Sequence, residues 1–417
     1  MNPYLAFVLA VLVLDALLDT VVGLLNVRCA APRVPPEFAD VYDTERYRRS
    51  QDYLRVRTRF GLSVGLVSTG LLVAFILAGG FGLADRWARL AGFGSIGTGL
   101  VFAGGLALAA SLLGIPAGIW RTFVIEERFG FNKTTPRTFA LDLLKSYLLA
   151  AVLGAPLLAL VLWLFEAAGP WAWLLCWAAV VAFELVVVLL APVLIMPLFV
   201  KLSPLAEGEL AEAISAYAKQ QGFAMRGIFT MDGSRRTTKA NALFTGFGRF
   251  RRIVLFDTLV DRHPTAEILG VLAHEMGHYK HKHVLVGLLV SIATTGLMLY
   301  LLSLFIGNRD LLEAFSVSQP SIYASLVLFG FLYAPLSTLL GIAGNWLSRR
   351  HERAADAYAA RTTGKPEALA SALKRLSADS LGNLTPHPWH VFLNHSHPPV
   401  LERIRALARA ESEMALR

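Results

Sequence analysis

His274, Glu275 and His278 lie within five residues of one another in the stretch Leu269–His283, read LGVLAHEMGHYKHKH. On a helix, side chains four residues apart stack on one face. Two imidazoles so placed can close on one Zn²⁺, while Glu275, one residue along, stays off the ion but within reach of a water beside it. The chemistry this spacing allows is metal-assisted hydrolysis with Glu275 as general base. The plain alternative is an amphipathic helix carrying two surface histidines. Pro264 at the start and the apolar stripe Ile268, Leu269, Val271 and Leu272 predict a helix over Pro264–His283.

Two histidines need a third ligand. Far downstream, Asn345–Asp356 reads NWLSRRHERAAD, which sets Glu352 and Asp356 one turn apart on one face of a polar helix. Glu352 would complete a His₂Glu set with one position open, as a catalytic site requires. Asp356 would accept the free N–H of a liganding histidine and so fix its tautomer and ring angle. Without HEMGH the same stretch reads as a solvated helix salt-bridged through Arg349, Arg350 and Arg353. The tail holds His387, His390, His395 and His397. Their spacing fits no tidy ligand set, and a single histidine polarising an oxyanion is the better functional reading. Asn241-Ala242 reads as an extended segment and a candidate edge on which a substrate strand could be laid beside the metal helix; otherwise it is an ordinary loop.

These residues must be positioned by a chain of unusual composition. Of 417 residues, 55% are hydrophobic and only 17% charged, and the mean hydropathy is +0.54. Seven apolar segments are long enough to cross a bilayer, roughly 5–27, 61–84, 97–119, 140–166, 171–199, 284–306 and 321–347. The fold class is therefore mainly α and polytopic, with the lipid bilayer as a partner. A net charge of +9 is read as basic cytoplasmic loops, with no nucleic-acid partner expected. The first, third and fifth loops are rich in Arg and Lys. The second has only Arg86 and Arg89, the fourth has neither residue type, and the sixth has Arg309 alone. This alternation puts the N-terminus outside, and the C-terminus and the HEMGH helix in the cytoplasm. Cys29 and Cys176 form no metal or disulfide motif.

Charges inside spans are costly and face a bundle interior or a water-filled cavity. Here they are Asp15 and Asp19, Asp142 and Lys145, and Glu184. Between spans five and six the patterning predicts a helix over Ser203–Gly222 and strands over Gly227–Met231 and Arg252–Leu259. Asn241–Phe244 is read as extended between the strands.

HEMGH, SRRHERAAD, Asn241-Ala242 and the HSHPP segment near the end occur in the order seen in the type I integral-membrane CAAX prenyl endopeptidases. Glu126–Thr135, read EERFGFNKTT, resembles that family's third loop. Nearly the whole chain takes part in the resemblance. It implies seven helices forming a barrel around an intramembrane chamber, capped by a cytoplasmic α+β zinc-peptidase module built from the insertion between spans five and six and the C-terminal region. By position it implies a single Zn²⁺ per chain on His274, His278 and Glu352, with Glu275 as general base. It implies Asp356 as the partner of a ligand, His397 on the oxyanion side, and Asn241 and Ala242 as the strand holding the substrate backbone. Arg403 matches a basic residue near that site and is expected, with Asn241 and Ala242, on the substrate-binding side. The expected substrate is a peptide or protein, prenylated or otherwise membrane-associated. The rivals are an HtpX-like quality-control protease and a non-catalytic transporter or scaffold with structural zinc. The expected division is 1–200 for spans one to five, 201–283 for the HEMGH module, 284–347 for spans six and seven, and 348–417 for the region completing the site. The Ala/Leu/Arg-rich make-up suggests a bacterial inner membrane.

Overall fold

The structure is a computed structural model, and it describes residues 2–223, 225–245 and 252–416. Seven of its helices are long and apolar enough to span a membrane. They begin with α1 (Pro3–Arg28), α2 (Thr44–Leu77) and, after the short α3 (Gly80–Leu90), α4 (Ser95–Trp120). α5 (Pro136–Ala167) and α6 (Ala172–Leu190) follow. α4 and α6 each continue through a turn of π-helix, Arg121–Glu126 and Ala191–Ile195, and the second leads into α7 (Met196–Phe199). At most 17% of any span's apolar window is buried inside the protein. Most of each span's surface therefore faces away from other protein groups, as lipid-facing helices do.

The second span ends earlier than its hydropathy predicts. The chain turns at Gly79, whose φ of 69° suits glycine, and 80–84 belong to α3 instead. α3 buries Phe81, Asp85 and Ala88 and exposes Leu83, Trp87 and Leu90. It is a separate amphipathic helix, which hydropathy alone merges with the span before it.

The polar module begins with a four-stranded sheet: β1 (Leu202–Pro204), β2 (Gly227–Met231), β3 (Ala242–Thr245) and β4 (Arg252–Phe256), in the order β1-β2-β4-β3. β2 and β4 are parallel, and the outer strands pair antiparallel. The predicted helix Ser203–Gly222 is in fact β1 followed by α8 (Glu209–Gln220). Pro204 is tolerated because β1 is an edge strand. The second predicted strand stops at Phe256. There Asp257 accepts from Thr258 N at 2.8 Å and Ser234 N at 2.9 Å, and the short helix α9 (Asp257–Val260) follows.

α10 (Thr265–Lys280) lies across the sheet. Its Ile268, Leu272, Ala273 and Met276 pack with Ala242, Ile253 and Leu255 in one buried cluster. α11 (His283–Ser303), α12 (Arg309–Ala314) and α13 (Ile322–Thr363) carry the chain through the membrane twice more. α14 (Pro366–Asp379), α15 (Pro388–Asn394) and α16 (Val400–Ala415) close the module. α13 is 42 residues long; at 1.5 Å per residue this is about 63 Å, roughly twice a bilayer's hydrocarbon core. One continuous rod therefore crosses the membrane and enters the module.

Charged groups near the spans clamp elements together. Arg236 donates to both oxygens of Asp142, at 3.0 and 3.2 Å. Lys145 Nζ donates to the carbonyl of Leu198 at 2.7 Å, and Ser291 Oγ to Glu184 Oε1 at 2.8 Å. On α1, Asp15 is half-buried and Asp19 exposed. Both cysteines are free thiols.

Candidate active site

The helix α10 crosses α13 at very short range, and the reason is Gly277 of HEMGH. A Cβ there would stand 2.9 Å from Ala355 Cα and 3.1 Å from Ala355 O. With hydrogen alone at that position, the two backbones meet and Glu352 reaches the histidines. His274 Nε2 and His278 Nε2 are 3.2 Å apart. His274 Nε2 lies 3.4 Å from Glu352 Oε2, and His278 Nε2 lies 3.2 Å from Glu352 Oε1. One ligand-type atom from each residue falls within 4.8 Å of the others.

Around this cluster the polar groups are tightly arranged. His274 Nδ1 sits 2.8 Å from Asp356 Oδ1. Arg403, 8% exposed, donates from Nη2 to Asp356 Oδ1 at 2.7 Å and from Nε to Oδ2 at 2.8 Å. Its Nη1 stands 3.3 Å from Glu352 Oε2. His397 reaches in from the HSHPP segment, with Nε2 3.3 Å from Glu352 Oε1 and Nδ1 2.9 Å from Ser396 Oγ. A hydroxyl donating to Nδ1 leaves the His397 proton on Nε2, facing the site. Glu275 lies on the same helix as the two histidines. Burial raises its carboxyl above the ordinary glutamate range, against the pull of His274 and His278.

β3 is the outer strand of the sheet and, among the described residues, pairs with β4 alone, with Ala242 opposite Leu255. Asn241 precedes it and is exposed; its carbonyl accepts from Phe256 N at 3.0 Å and its Oδ1 from Ala242 N at 2.9 Å. Ala242 is buried against the metal helix. The approach to this edge is tied to the membrane half. Lys239 Nζ donates to Glu126 Oε2 at 3.0 Å, and Tyr53 OH donates to Glu126 Oε1 at 2.6 Å. Lys133 N donates to Arg236 O, and Thr238 N to Phe131 O, so the EERFGFNKTT loop runs against the residues leading into β3.

Residues 24–201 match the family model described as CAAX prenyl protease N-terminal, five membrane helices, and residues 204–411 match that of peptidase family M48. The human CAAX prenyl protease 1 homolog is 32% identical over 90% of this chain and 88% of its own length. The Saccharomyces cerevisiae CAAX prenyl protease 1 is 33% identical, with 90% and 88% covered. The crystal structure of S. mikatae Ste24p matches with a TM-score of 0.92 at 30% identity, covering 98% of this chain and 99% of that one. The chain belongs to peptidase family M48. It is a membrane metalloendopeptidase whose spans enclose a barrel-like chamber, with the small sheet and α10 at one end.

An M48 peptidase needs a metal, and the donor set here suits one. Glu352 Oε2 is buried and makes no well-formed hydrogen bond among the described residues, with Arg403 Nη1 and His274 Nε2 standing off at 3.3 and 3.4 Å. A buried carboxylate oxygen left short of a full hydrogen bond is costly, and a cation between it and the two imidazoles would satisfy it. Sequence patterning does not find Lys239, Glu126 and Tyr53 as a group, because three residues from three distant segments leave no periodic signal. Nor does it place His283, whose Nδ1 comes within 3.0 Å of His278 Nδ1 because the helix breaks between them.

Proposed function

We propose that this M48 peptidase is a zinc-dependent endopeptidase that cleaves CAAX-type prenylated peptides or related membrane-associated ones. The observation that carries this is the convergence of His274, His278 and Glu352 beside Glu275. The substrate class is supported by the names of the relatives, CAAX prenyl proteases over most of this chain's length. His274, His278 and Glu352 would hold a single Zn²⁺, which supplies Lewis acidity and makes water nucleophilic near pH 7.

The remaining work falls to the chain's own groups. Glu275 takes a proton from the attacking water and returns it to the leaving amine. Its raised pKa suits this exchange, since a base matched to working pH both takes and gives up a proton. His397 Nε2–H donates to the developing oxyanion. Asp356 accepts the His274 Nδ1–H and keeps Nε2 free for the metal. Arg403 neutralises Asp356 and orients it. Asn241 and Ala242 offer the edge of β3 that no other described strand covers to the substrate backbone, which adds as a strand.

In this reading 1–200 and 284–347 form the membrane barrel, and 201–283 with 348–417 form the peptidase module. The Arg/Lys bias of the loops supports a cytoplasmic module and C-terminus with the N-terminus outside. Placement in a bacterial inner membrane rests on composition alone, beside relatives from human and yeast. No role here calls for nucleic acid.

The test uses purified protein in detergent, with zinc content measured beside cleavage of a farnesylated CAAX peptide. Wild type and Glu275→Gln should both hold zinc, and only wild type should cleave. Glu352→Ala should lose zinc as well. Wild-type turnover in Glu275→Gln would overturn the assignment of the base. Zinc with cleavage of an unfolded membrane protein, but not of the prenylated peptide, would move the function to HtpX-like quality control. Zinc without any cleavage would favour the scaffold.

A further inference from the structure

His278 meets different neighbours through its two ring nitrogens. Nε2 points into the cluster, 3.2 Å from His274 Nε2 and 3.2 Å from Glu352 Oε1. Nδ1 points away and lies 3.0 Å from His283 Nδ1. A ring nitrogen that ligates a cation carries no proton, so the one proton of a neutral His278 sits on Nδ1. The His283 Nδ1 opposite it is then a bare acceptor, with that ring's own proton on Nε2.

Helical periodicity does not bring His283 to this place. Five residues beyond His278 it would fall on another face of a continuous helix. Instead α10 ends at Lys280, and Lys282 adopts φ 57° and ψ 30°. This left-handed conformation is uncommon for lysine. α11 then starts at His283, so the first residue of the sixth span folds back over the metal helix. Its ring is gripped from outside the hydrogen bond as well. His351 stacks on it with centroids 3.9 Å apart and planes 8° from parallel, and His281 lies 5.5 Å away at 16°. His351 immediately precedes Glu352. One ring thus joins the second histidine, the neighbour of the carboxylate and the start of a membrane span.

We propose that His283 is a positioning residue for the metal centre: it accepts the His278 Nδ1–H, with its ring plane set by the stack on His351. The inference rests on the reading of His274, His278 and Glu352 as ligands. It makes the entry of span six part of the support for the metal, so the orientation of that span is felt at the site.

The experiment measures zinc affinity by chelator competition, and metal-free melting temperature, on the full chain in detergent. His283→Phe keeps a ring to stack on His351 but removes the acceptor. His283→Asn puts an amide oxygen near where Nδ1 stood. Loss of a partner behind a liganding histidine weakens metal binding by about 10–100-fold, and this is expected for His283→Phe. His283→Asn should recover most of that loss, with metal-free melting unchanged in both. Should the His283→Phe chain fail to fold, His283→Leu compared with His283→Asn reads the same difference. Wild-type zinc affinity in the variants without the acceptor, or equal loss in His283→Asn, would overturn the proposal alone. Absence of zinc from wild type, or its retention in Glu352→Ala, would overturn the ligand assignment and this inference with it.

Discussion

Replacing Gly277 by alanine should separate metal binding from folding. The added Cβ would stand 2.9 Å from Ala355 Cα and 3.1 Å from Ala355 O, and these are backbone atoms that no rotamer change can move. Carbon contacts are comfortable at about 3.5–4.0 Å, so α10 and α13 must part locally by roughly 0.6–1.1 Å. Glu352 lies one turn before Ala355 on α13 and moves with it. Ligand distances hold to within about 0.2 Å, so the shift exceeds the tolerance of the proposed site at least threefold. The folding cost is far smaller. Overpacking costs about 1–3 kcal/mol, and alanine gains about 1 kcal/mol over glycine inside a helix, which leaves a net loss of at most about 2 kcal/mol. The assay is zinc affinity by chelator competition beside metal-free thermal unfolding. Gly277→Ala should bind zinc at least about tenfold more weakly while its melting temperature moves by a few degrees. Gly344→Ala is the control, because a Cβ at that position of α13 meets nothing within 4 Å. If Gly277→Ala bound zinc with wild-type affinity, the close crossing would not be what brings Glu352 to the histidines.

Arg403→Leu strips Asp356 of both guanidinium bonds in a buried setting, where breaking a pair costs about 3–5 kcal/mol. Lysine should not restore the loss, since the pairing is bidentate, and a melting temperature near wild type in either variant would refute this. Metal uptake should depend on pH. In the metal-free site burial alone would lower the His274 pKa, but the bonds to Asp356 and Glu352 win and raise it to about 9. Zinc must therefore displace a proton, and its apparent affinity should fall about tenfold per pH unit below that value; a flat profile between pH 6 and 8 would count against it. The acid limb of kcat/KM should lie above pH 4.5, because cleavage needs ionised Glu275 and burial raises its pKa. Lys239→Met frees the lead-in to β3 and should raise KM for peptide more than it lowers kcat, with zinc affinity unchanged. An unchanged KM would remove Lys239 from substrate positioning.

What the sequence disclosed follows a physical rule. Periodicity and short spacing reveal what lies along one helix, so the pair His274 and His278 and the pair Glu352 and Asp356 are legible. Hydropathy reveals which segments meet lipid, so the seven spans are legible too. It reports the solvent rather than the backbone. It runs 80–84 into the second span because the first turn of α3, GFGLA, is apolar and directly follows the span, and it marks an end near Leu347 although α13 continues to Thr363. Short strands are weak signals: the three residues of β1, ending in proline, carry no pattern of their own and fall inside a predicted helix.

The continuity of α13 has a consequence for the mechanism. Glu352 does not belong to a module tethered loosely beside the membrane; it rides on the seventh span. His278 is braced by the first residue of the sixth span, and the lead-in to β3 is clamped to Glu126, where the third span ends, and to Tyr53 of α2. Each element of the proposed site is thus fixed to the barrel through a different helix. A soluble fragment spanning 201–283 would lack Glu352, Asp356, His397 and Arg403, together with every one of these anchors. The barrel wall is part of what holds the site together, which is why the chemistry is dispersed along the chain.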